Sequence, residues 1–237
     1  MAVRAMLFDY SGTLFRLEED ESWASDLTHA DGAPFDYHHQ AEIMRRMTQP
    51  VGLSVDLDED ARYAWHHRDL DPELHRKAYL EILRHSGVPN REQALGLYNR
   101  LIDPGEWTPY PDTGEVLAAL SAQGIRIAVV SNIAFDLRPA FTSRGWDRYV
   151  DEFVLSYEVG ATKPDEAIFR TALDRLGVEG ADAVMVGDSE EADGGATALG
   201  CGFEFVEPLP TSERPKALRK ALQRNGIAIK STDGPQS

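Results

Sequence analysis

The sequence has little cysteine and a deficit of positive charge, and both shortages narrow what the protein can be. Its single cysteine, Cys201, cannot form a disulfide within the chain. The 24 basic side chains are outnumbered by 40 acidic ones, which gives a net charge of −16. So negative a surface repels nucleic acids and anionic lipids, and we expect neither as a partner. An anionic ligand would need a local site of positive charge.

Long apolar runs and internal repeats are also missing. No stretch approaches the ~18 apolar residues that cross a bilayer, and no repeat of solenoid period is present. The first residues, MAVRAMLFDYSGTLF, carry no signal-peptide cleavage pattern. We therefore expect a cytoplasmic protein without a membrane partner. A chain of 237 residues can form one α/β domain with an insertion, or two small domains.

Strand-like and helical segments alternate over the second half of the chain. The strand-like segments are IRIAVVSN, EFVLS, DAVMVGD and FEFVE. The helical segments that alternate with them are GEVLAALSAQG, LRPAFTSRG, DEAIFRTALDRLG and ADGGATALG. A short apolar run at residues 3–8 adds one more strand. This alternation predicts an α/β fold with a Rossmann-like, doubly wound parallel sheet.

Residues 15–110 show helical periodicity without strands between the helices. Pro72 is placed to begin the helix PELHRKAYLEILRHSG, which Gly87 closes, and Asn90 is placed to cap the next helix. This stretch predicts a separate helical subdomain. The predicted division is a Rossmann-like core at 1–14 plus 111–230, the helical subdomain at 15–110, and a frayed tail at 231–237.

Polar residues follow three of the predicted strands. Asp9 comes after AMLF, Ser131 and Asn132 end the segment after IAVV, and Asp188 follows AVMVG. The carboxyl ends of parallel strands lie along one edge of a sheet, which is where ligands bind in such folds. We therefore expect these residues to converge.

The converging residue types suit phosphoryl transfer, which needs a nucleophile, a divalent cation and donors for the phosphate oxygens. The carboxylate of Asp9 can attack phosphorus and form an aspartyl phosphate. Asp188 and Asp193 offer the hard oxygen ligands that Mg²⁺ prefers. Lys163 offers a fixed positive charge, and Ser131 with its neighbouring backbone N–H groups offers phosphate donors.

The same residues carry a family resemblance. FDYSGT at 8–13, VVSN at 129–132, KP at 163–164 and GDSEEAD at 187–193 resemble, in this order, the four motifs of the haloacid dehalogenase-like (HAD) hydrolases. The resemblance extends over essentially the whole chain if residues 15–110 form the helical cap that many members carry between the first two motifs. It implies a hydrolase, most often a phosphatase, that acts on a small phosphorylated metabolite with Mg²⁺ as cofactor.

The resemblance also implies a role for each matching residue. Asp9 corresponds to the nucleophile and is also a metal ligand. The backbone carbonyl of Ser11 and the carboxylate of Asp188 correspond to further metal ligands. Asp193 corresponds to a supporting acid at the metal. Phosphate binding falls to Thr13, Ser131, Asn132 and Lys163. The oligomeric state is not implied.

Ser11 departs from the family pattern. Phosphatases of the family usually carry an aspartate here, two residues after the nucleophile, which protonates the leaving oxygen and then activates water. A serine hydroxyl is no general acid at neutral pH, and losing a positioned acid typically costs ~10²–10⁴ in rate. The metal site needs only the backbone carbonyl of Ser11, so metal binding and phosphoenzyme formation are better supported than fast hydrolysis.

Three interpretations of Ser11 stay open at this point. The protein can be a phosphatase with another acid, for example from the cap, or one that acts on good leaving groups. It can belong to the branches that cleave C–X bonds. A phosphonatase would need a Schiff-base lysine from the cap, and Lys77 is the only lysine within 15–110. A dehalogenase is the other possibility, but the intact GDSEEAD motif argues against it. It can also be a non-catalytic protein that binds a phosphorylated ligand.

Several other residues receive structural assignments. Adjacent histidines at 38–39 and 66–67 point to different helix faces, so no zinc site is expected. We expect Cys201 to be buried and to pack as a small hydrophobic side chain. Five aromatic residues of the helical subdomain are more typical of a core than of a substrate pocket, namely Trp23, Phe35, Tyr37, Trp65 and Trp107. Arg45, Arg46 and Arg68 are expected on solvated helix faces, although they could reach a substrate anion.

Overall fold

The computed structural model describes residues 3–18, 23, 27–29, 31–48, 57–88 and 90–229. The predicted tail at 231–237 lies outside the described residues. The strands are β1 (Ala5–Phe8), β2 (Phe15–Arg16), β3 (Thr108–Pro109), β4 (Arg126–Ser131), β5 (Glu152–Leu155), β6 (Ala183–Gly187) and β7 (Gly202–Phe205). The α-helices are α1 (Tyr37–Thr48), α2 (Glu59–His67), α3 (Pro72–His85), α4 (Arg91–Leu101), α5 (Thr113–Ala122), α6 (Arg138–Thr142), α7 (Ser156–Val159), α8 (Glu166–Leu176) and α9 (Ala217–Arg224). Short 3₁₀ helices lie at Arg68–Leu70, Asp147–Tyr149, Gly180–Asp182, Asp193–Leu199 and Thr211–Glu213.

The main sheet has five parallel strands in the order β5-β4-β1-β6-β7. The central strand β1 pairs with β4 on one side and β6 on the other, and Phe8 lies opposite Val129 and Val186. The residue after β1 is Asp9, so Asp9 emerges between the carboxyl ends of β4 and β6. This register places the predicted site at the topological centre of the sheet.

Both faces of β1 are buried because helices cover the sheet on each side. Met6 and Phe8 belong to the same hydrophobic cluster as residues of α5 and α9, whereas Ala5 and Leu7 pack with α8. Side chains alternate across a strand, so a strand covered on both faces must be apolar throughout. The predicted doubly wound α/β fold is thereby confirmed.

One predicted helix has a different geometry. The segment ADGGATALG forms the 3₁₀ helix Asp193–Leu199 rather than an α-helix. Gly194 and Gly195 are poor α-helix formers. The side chain of Asp193 also accepts a hydrogen bond from Ser189 N at 3.0 Å, which ties the start of the helix to the preceding turn.

Helices α1–α4 lie between β2 and β3, two short strands that pair antiparallel with Phe15 opposite Pro109. The chain therefore leaves the sheet region and returns to it at one place. Helix α3 begins at Pro72, as the sequence indicates, with the Asp71 side chain capping its first turn. The carboxamide of Asn90 caps α4 by accepting from Glu92 N at 2.8 Å. We refer to α1–α4 as the inserted helices.

Of the five aromatic residues that the sequence analysis assigned to a core, four are buried. Trp23, Phe35, Trp65 and Trp107 are buried. The prediction was wrong for Tyr37, which is 64% exposed at the start of α1. Cys201 is buried, as predicted. Among the described residues, no helix combines the length and the apolar character that crossing a membrane requires.

Candidate active site

An ion-paired cluster occupies the carboxyl edge of the sheet. Lys163 Nζ lies 2.6 Å from Asp9 Oδ1 and 2.6 Å from Asp193 Oδ1. All three side chains are buried, with 3%, 9% and 1% exposure for Lys163, Asp9 and Asp193. Asp9 follows β1, Lys163 lies in the loop before α8, and Asp193 begins the 3₁₀ helix after β6. Residues that are 154 positions apart are thus in direct contact.

Asp188, which follows β6, completes a group of three carboxylates. Oxygen atoms of Asp9, Asp188 and Asp193 all lie within 4.8 Å of one another. Carboxylate oxygens at this spacing are the donor set that a hard divalent cation takes. One ammonium group cannot neutralise three carboxylates, so the charge balance of the cluster also fits a bound cation.

The pKa values of the cluster reflect burial and crowding. Burial raises the pKa of Asp9 to about 8; the Lys163 ammonium opposes this rise, while Asp193 and Asp188 add to it. Burial also raises the pKa of Asp188, again with a contribution from Asp193. Burial by itself would lower the pKa of Lys163, but Asp193 and Asp9 hold it above its ordinary value. Lys163 is therefore a permanent positive charge in an acidic protein.

The loop that carries Lys163 is held by Asn132. The carboxamide of Asn132 donates from Nδ2 to Lys163 O at 2.9 Å and accepts from Lys163 N at 2.7 Å. These two bonds join the loop after β4 to the loop before α8. The sequence assigned Asn132 to phosphate binding and did not anticipate this second contact, which positions the lysine.

Two glycines allow the acidic side chains to approach the backbone. Gly12 has φ +71°, and a Cβ at this position would overlap the carboxylate of Asp188. A Cβ on Gly187 would overlap the side chain of Asp193. The glycines of FDYSGT and GDSEEAD therefore make room for the carboxylates of the cluster.

The remaining sequence-predicted residues lie around this cluster in different environments. Ser131 is buried at the end of β4, and its role in phosphate binding stays a prediction. Ser11 is exposed. Thr13 is fully buried, and its hydroxyl has no hydrogen-bond partner among the described residues.

Arg214 supports the site although the sequence analysis did not single it out. Its guanidinium donates to Gly12 O at 2.6 Å and to the carbonyl of Thr13, and it lies 3.1 Å from the centroid of the Tyr110 ring. Burial lowers its pKa to about 10, which still leaves it charged at neutral pH. No local pattern marks this residue, because its partners lie about 200 positions earlier in the chain.

The inserted helices reach the strand edge through the 3₁₀ helix Arg68–Leu70. Ser156 Oγ, at the end of β5, donates to Asp69 O at 2.5 Å. The same hydroxyl accepts from Ile133 N at 2.9 Å, two residues beyond Ser131. This contact places Asp69 beside the loop of the second motif, and no sequence pattern predicts it.

A series of neighbouring aromatic rings also links the core to the inserted helices. The ring of Tyr10 lies 5.0 Å from Trp107, Trp107 lies 6.1 Å from Phe135, and Phe135 lies 6.1 Å from His75 on α3. These rings connect the residue after Asp9 to the inserted helices. Trp107 is the one of the five predicted aromatics that takes part in this series.

Lys77, the candidate Schiff-base residue, lies elsewhere. Its ammonium is 3.6 Å from Asp60 Oδ2, and its side chain is 47% exposed. It lines a groove of about 450 Å³ with Arg76 and Arg84, and no residue of the cluster lines that groove. Arg45 and Arg46 pair with Glu42 on α1, as expected for helix-face arginines.

Comparison with known proteins is consistent with the motifs. A family model described as haloacid dehalogenase-like hydrolase matches residues 3–199. The chain is 31% identical over 228 residues to a ribulose-1,5-bisphosphate 5-phosphatase of Halopiger xanaduensis, covering 92% of this chain and 90% of the relative. It is 34% identical over 134 residues to (S)-2-haloacid dehalogenase 1 of a Pseudomonas species, covering 56% and 58%.

A solved structure shows the same fold. The HAD phosphatase of Thermococcus onnurineus superposes with a TM-score of 0.57 at 22% identity, covering 96% of this chain and all of the other. The family model spans most of the chain, and the first relative is similar over nearly its whole length. The protein is therefore a hydrolase of the haloacid dehalogenase-like family.

Proposed function

We propose that the protein is a Mg²⁺-dependent phosphatase of a small phosphorylated metabolite and that it works through an aspartyl phosphate at Asp9. The observation that carries this proposal is the buried cluster in which Lys163 contacts Asp9 and Asp193 beside Asp188. The similarity to a sugar-bisphosphate phosphatase over most of the chain supports it. Together these features favour phosphate as the group transferred.

Each residue of the cluster has a task in the proposed cycle. Asp9 attacks phosphorus in line, while the ammonium of Lys163 and the hydroxyl of Ser131 hold the nonbridging oxygens. The carboxylates of Asp9 and Asp188 and the carbonyl of Ser11 would hold Mg²⁺, with Asp193 supporting the site. The cation would neutralise charge on the phosphate and keep Asp9 ionised. Asn132 keeps Lys163 in place through its two backbone bonds.

The inserted helices have the position of a cap in this proposal. They are joined to the core at the β2–β3 pair and contact the strand edge through Asp69 and Ser156. A cover over the site excludes water from the phosphoryl group and selects substrate by shape. The division into a core at 1–14 plus 111–230 and a cap at 15–110 is part of the proposal, as is a cytoplasmic location.

Dehalogenation is the second candidate because dehalogenases are among the relatives. Dehalogenases of the family work without metal and lack the full acidic motif, whereas three carboxylates converge here. Phosphonate cleavage through Lys77 is disfavoured because this lysine pairs with Asp60 outside the cluster. A non-catalytic phospholigand-binding role shares the geometry and differs only in turnover.

The test measures hydrolysis of phosphate esters, acyl phosphates, phosphonates and 2-haloacids, with and without Mg²⁺. The parent is compared with Asp9→Asn, with Asp188→Ala, and with the control Asp174→Asn on the exposed face of α8. We expect Mg²⁺-dependent phosphate release that Asp9→Asn abolishes. Asp188→Ala should require much more Mg²⁺ for the same rate or thermal stabilisation, and the control should match the parent.

Two results would contradict the proposal. Release of halide without Mg²⁺ would favour the dehalogenase, and phosphate release that survives in Asp9→Asn would exclude Asp9 as nucleophile. Stabilisation by phosphorylated ligands without turnover would instead favour the binding protein.

A further inference from the structure

A general acid is missing from the position where phosphatases of this family usually carry one. The side chain two residues after Asp9 is the hydroxyl of Ser11, which cannot protonate an alkoxide leaving group at neutral pH. An in-line attack places the leaving oxygen on the side of phosphorus opposite Asp9. A replacement acid must therefore approach from above the strand ends, where the inserted helices meet the core.

The 3₁₀ helix Arg68–Leu70 is the part of the inserted helices that meets this edge. Its anchor is the hydrogen bond of 2.5 Å from Ser156 Oγ to Asp69 O. Because Ser156 also binds Ile133 N, the anchor is continuous with the loop that follows Ser131. The backbone of Asp69 is thus fixed relative to the predicted phosphate site.

The carboxyl group of Asp69 lies in a largely buried environment. Its side chain is 24% exposed, and among the described residues its ion-pair partner is Arg68, at 3.7 Å. Burial raises the pKa of Asp69, and the charges of Arg68 and Lys163 moderate the rise. Lys163, the proposed phosphate-binding lysine, is thus one of the charges that act on this carboxyl group. Tyr79 on α3 is the other titratable group that faces it.

We propose that Asp69 is the general acid and base of the reaction, supplied by the inserted helices in place of the side chain that Ser11 lacks. This inference rests on the proposed phosphatase function. In the first step the bond from Asp9 to phosphorus forms, the bond to the leaving oxygen breaks, and Asp69 gives its proton to that oxygen. In the second step the Asp69 carboxylate takes a proton from the water that attacks phosphorus, which frees Asp9 and inorganic phosphate.

The test varies the leaving group, because losing a proton donor slows the reaction most when the leaving group is a poor one. The parent and Asp69→Asn are compared by kcat/KM on an alkyl phosphate, whose alkoxide needs a proton, and on acetyl phosphate and p-nitrophenyl phosphate, whose leaving groups do not. The matched control is Asp60→Asn, which removes a carboxylate of α2 that is 88% exposed. Thermal unfolding of each variant shows that the fold is retained.

We expect Asp69→Asn to lose ~10²–10⁴ in kcat/KM on the alkyl phosphate and to lose far less on the two activated substrates. With acetyl phosphate the variant should also accumulate the aspartyl phosphate, seen by intact-protein mass spectrometry, because the second step lacks its base. Adding Ser11→Asp to the Asp69→Asn background should restore turnover of the alkyl phosphate. Asp60→Asn should behave as the parent does.

Other outcomes would overturn the inference. An equal loss on all substrates would mean that Asp69 acts in binding or packing, and an unchanged kcat/KM would mean that the acid lies elsewhere. Either result leaves the phosphatase proposal intact as long as the parent hydrolyses a phosphate substrate and Asp9→Asn does not. A parent without Mg²⁺-dependent turnover of any phosphate would overturn both.

Discussion

Gly12 shows how one residue in the loop after Asp9 shapes the candidate site. Its φ of +71° lies in the left-handed region, which costs an L-amino acid about 1–2 kcal/mol. Its missing side chain also leaves the space that the Asp188 carboxylate fills. Backbone conformation and carboxylate placement therefore depend on the same residue.

We predict that Gly12→Ala abolishes the proposed metal-dependent activity, because the new methyl group must displace Asp188. The matched control is Gly124→Ala, which has nearly the same φ of +70° but no atom within 4 Å of the new Cβ. In urea unfolding, backbone strain should lower the free energy of unfolding of the control by about 1–2 kcal/mol. The decrease should be at least as large in Gly12→Ala. Only Gly12→Ala should lose turnover. Equal activity in the two variants would show that the position of Asp188 does not depend on this gap.

At the scale of elements, helices α3 and α4 are joined by a buried polar pair. His75 Nδ1 lies 3.0 Å from the Tyr98 hydroxyl, and only 4% of His75 is exposed. Burial, with a contribution from the positive charge of Arg68, lowers the pKa of His75 from the ordinary 6.5 to about 3. The pair therefore holds together while the imidazole is neutral.

This depressed pKa predicts that acid weakens the protein between pH 6.5 and pH 3. In that window the unfolded chain binds a proton at His75 and the folded chain does not, so the free energy of unfolding falls as pH falls. The contribution is at most about 1.4 kcal/mol per pH unit. His75→Phe should show a shallower pH dependence than the parent in urea unfolding at several pH values.

Tyr98→Phe is the control for this prediction, since it removes the hydrogen bond but keeps the imidazole. It should lower stability at every pH and keep the slope of the parent. An unchanged slope in His75→Phe would show that His75 does not contribute to the acid sensitivity.

At the scale of the whole molecule, the C-terminal part of the chain fastens the loop of the first motif. Arg214 donates to the carbonyls of Gly12 and Thr13, which lie 202 and 201 positions earlier. Its side chain is buried against Tyr110, which begins the return from β3 to α5. One guanidinium thus joins the loop after β1, the segment after the inserted helices and the segment before α9.

We predict that Arg214→Met destabilises the protein by at least about 2–3 kcal/mol, because buried carbonyls lose charge-assisted hydrogen bonds. Arg214→Lys should recover only part of this loss, since a single ammonium cannot reproduce the forked contacts. The control is Arg224→Met. The Arg224 side chain is 52% exposed and pairs with Glu204, so its removal should lower the free energy of unfolding by no more than about 1 kcal/mol. Chemical unfolding measures all three variants. A loss in Arg214→Met as small as that in Arg224→Met would contradict the assigned role.

The sequence by itself determined the parts of this protein that depend on local patterns. Apolar runs ending in polar residues marked β1, β4 and β6, and the rule that parallel strands share a carboxyl edge brought Asp9, Ser131 and Asp188 to one place. Helix punctuation located the starts of α3 and α4 correctly at Pro72 and Asn90. These signals are readable because periodicity and capping involve residues within a few positions of each other.

Only the tertiary structure decided which distant residues complete the site. Asn132 positions Lys163, Arg214 holds the loop after Asp9, and Ser156 anchors Asp69, yet none of these contacts leaves a trace in the neighbouring sequence. Tyr37 was assigned wrongly for the related reason that helical periodicity does not tell which face other elements will cover. Side chains that meet across 31 to 202 positions are selected by the packing of the finished fold, and that packing is where the candidate chemistry of this protein is assembled.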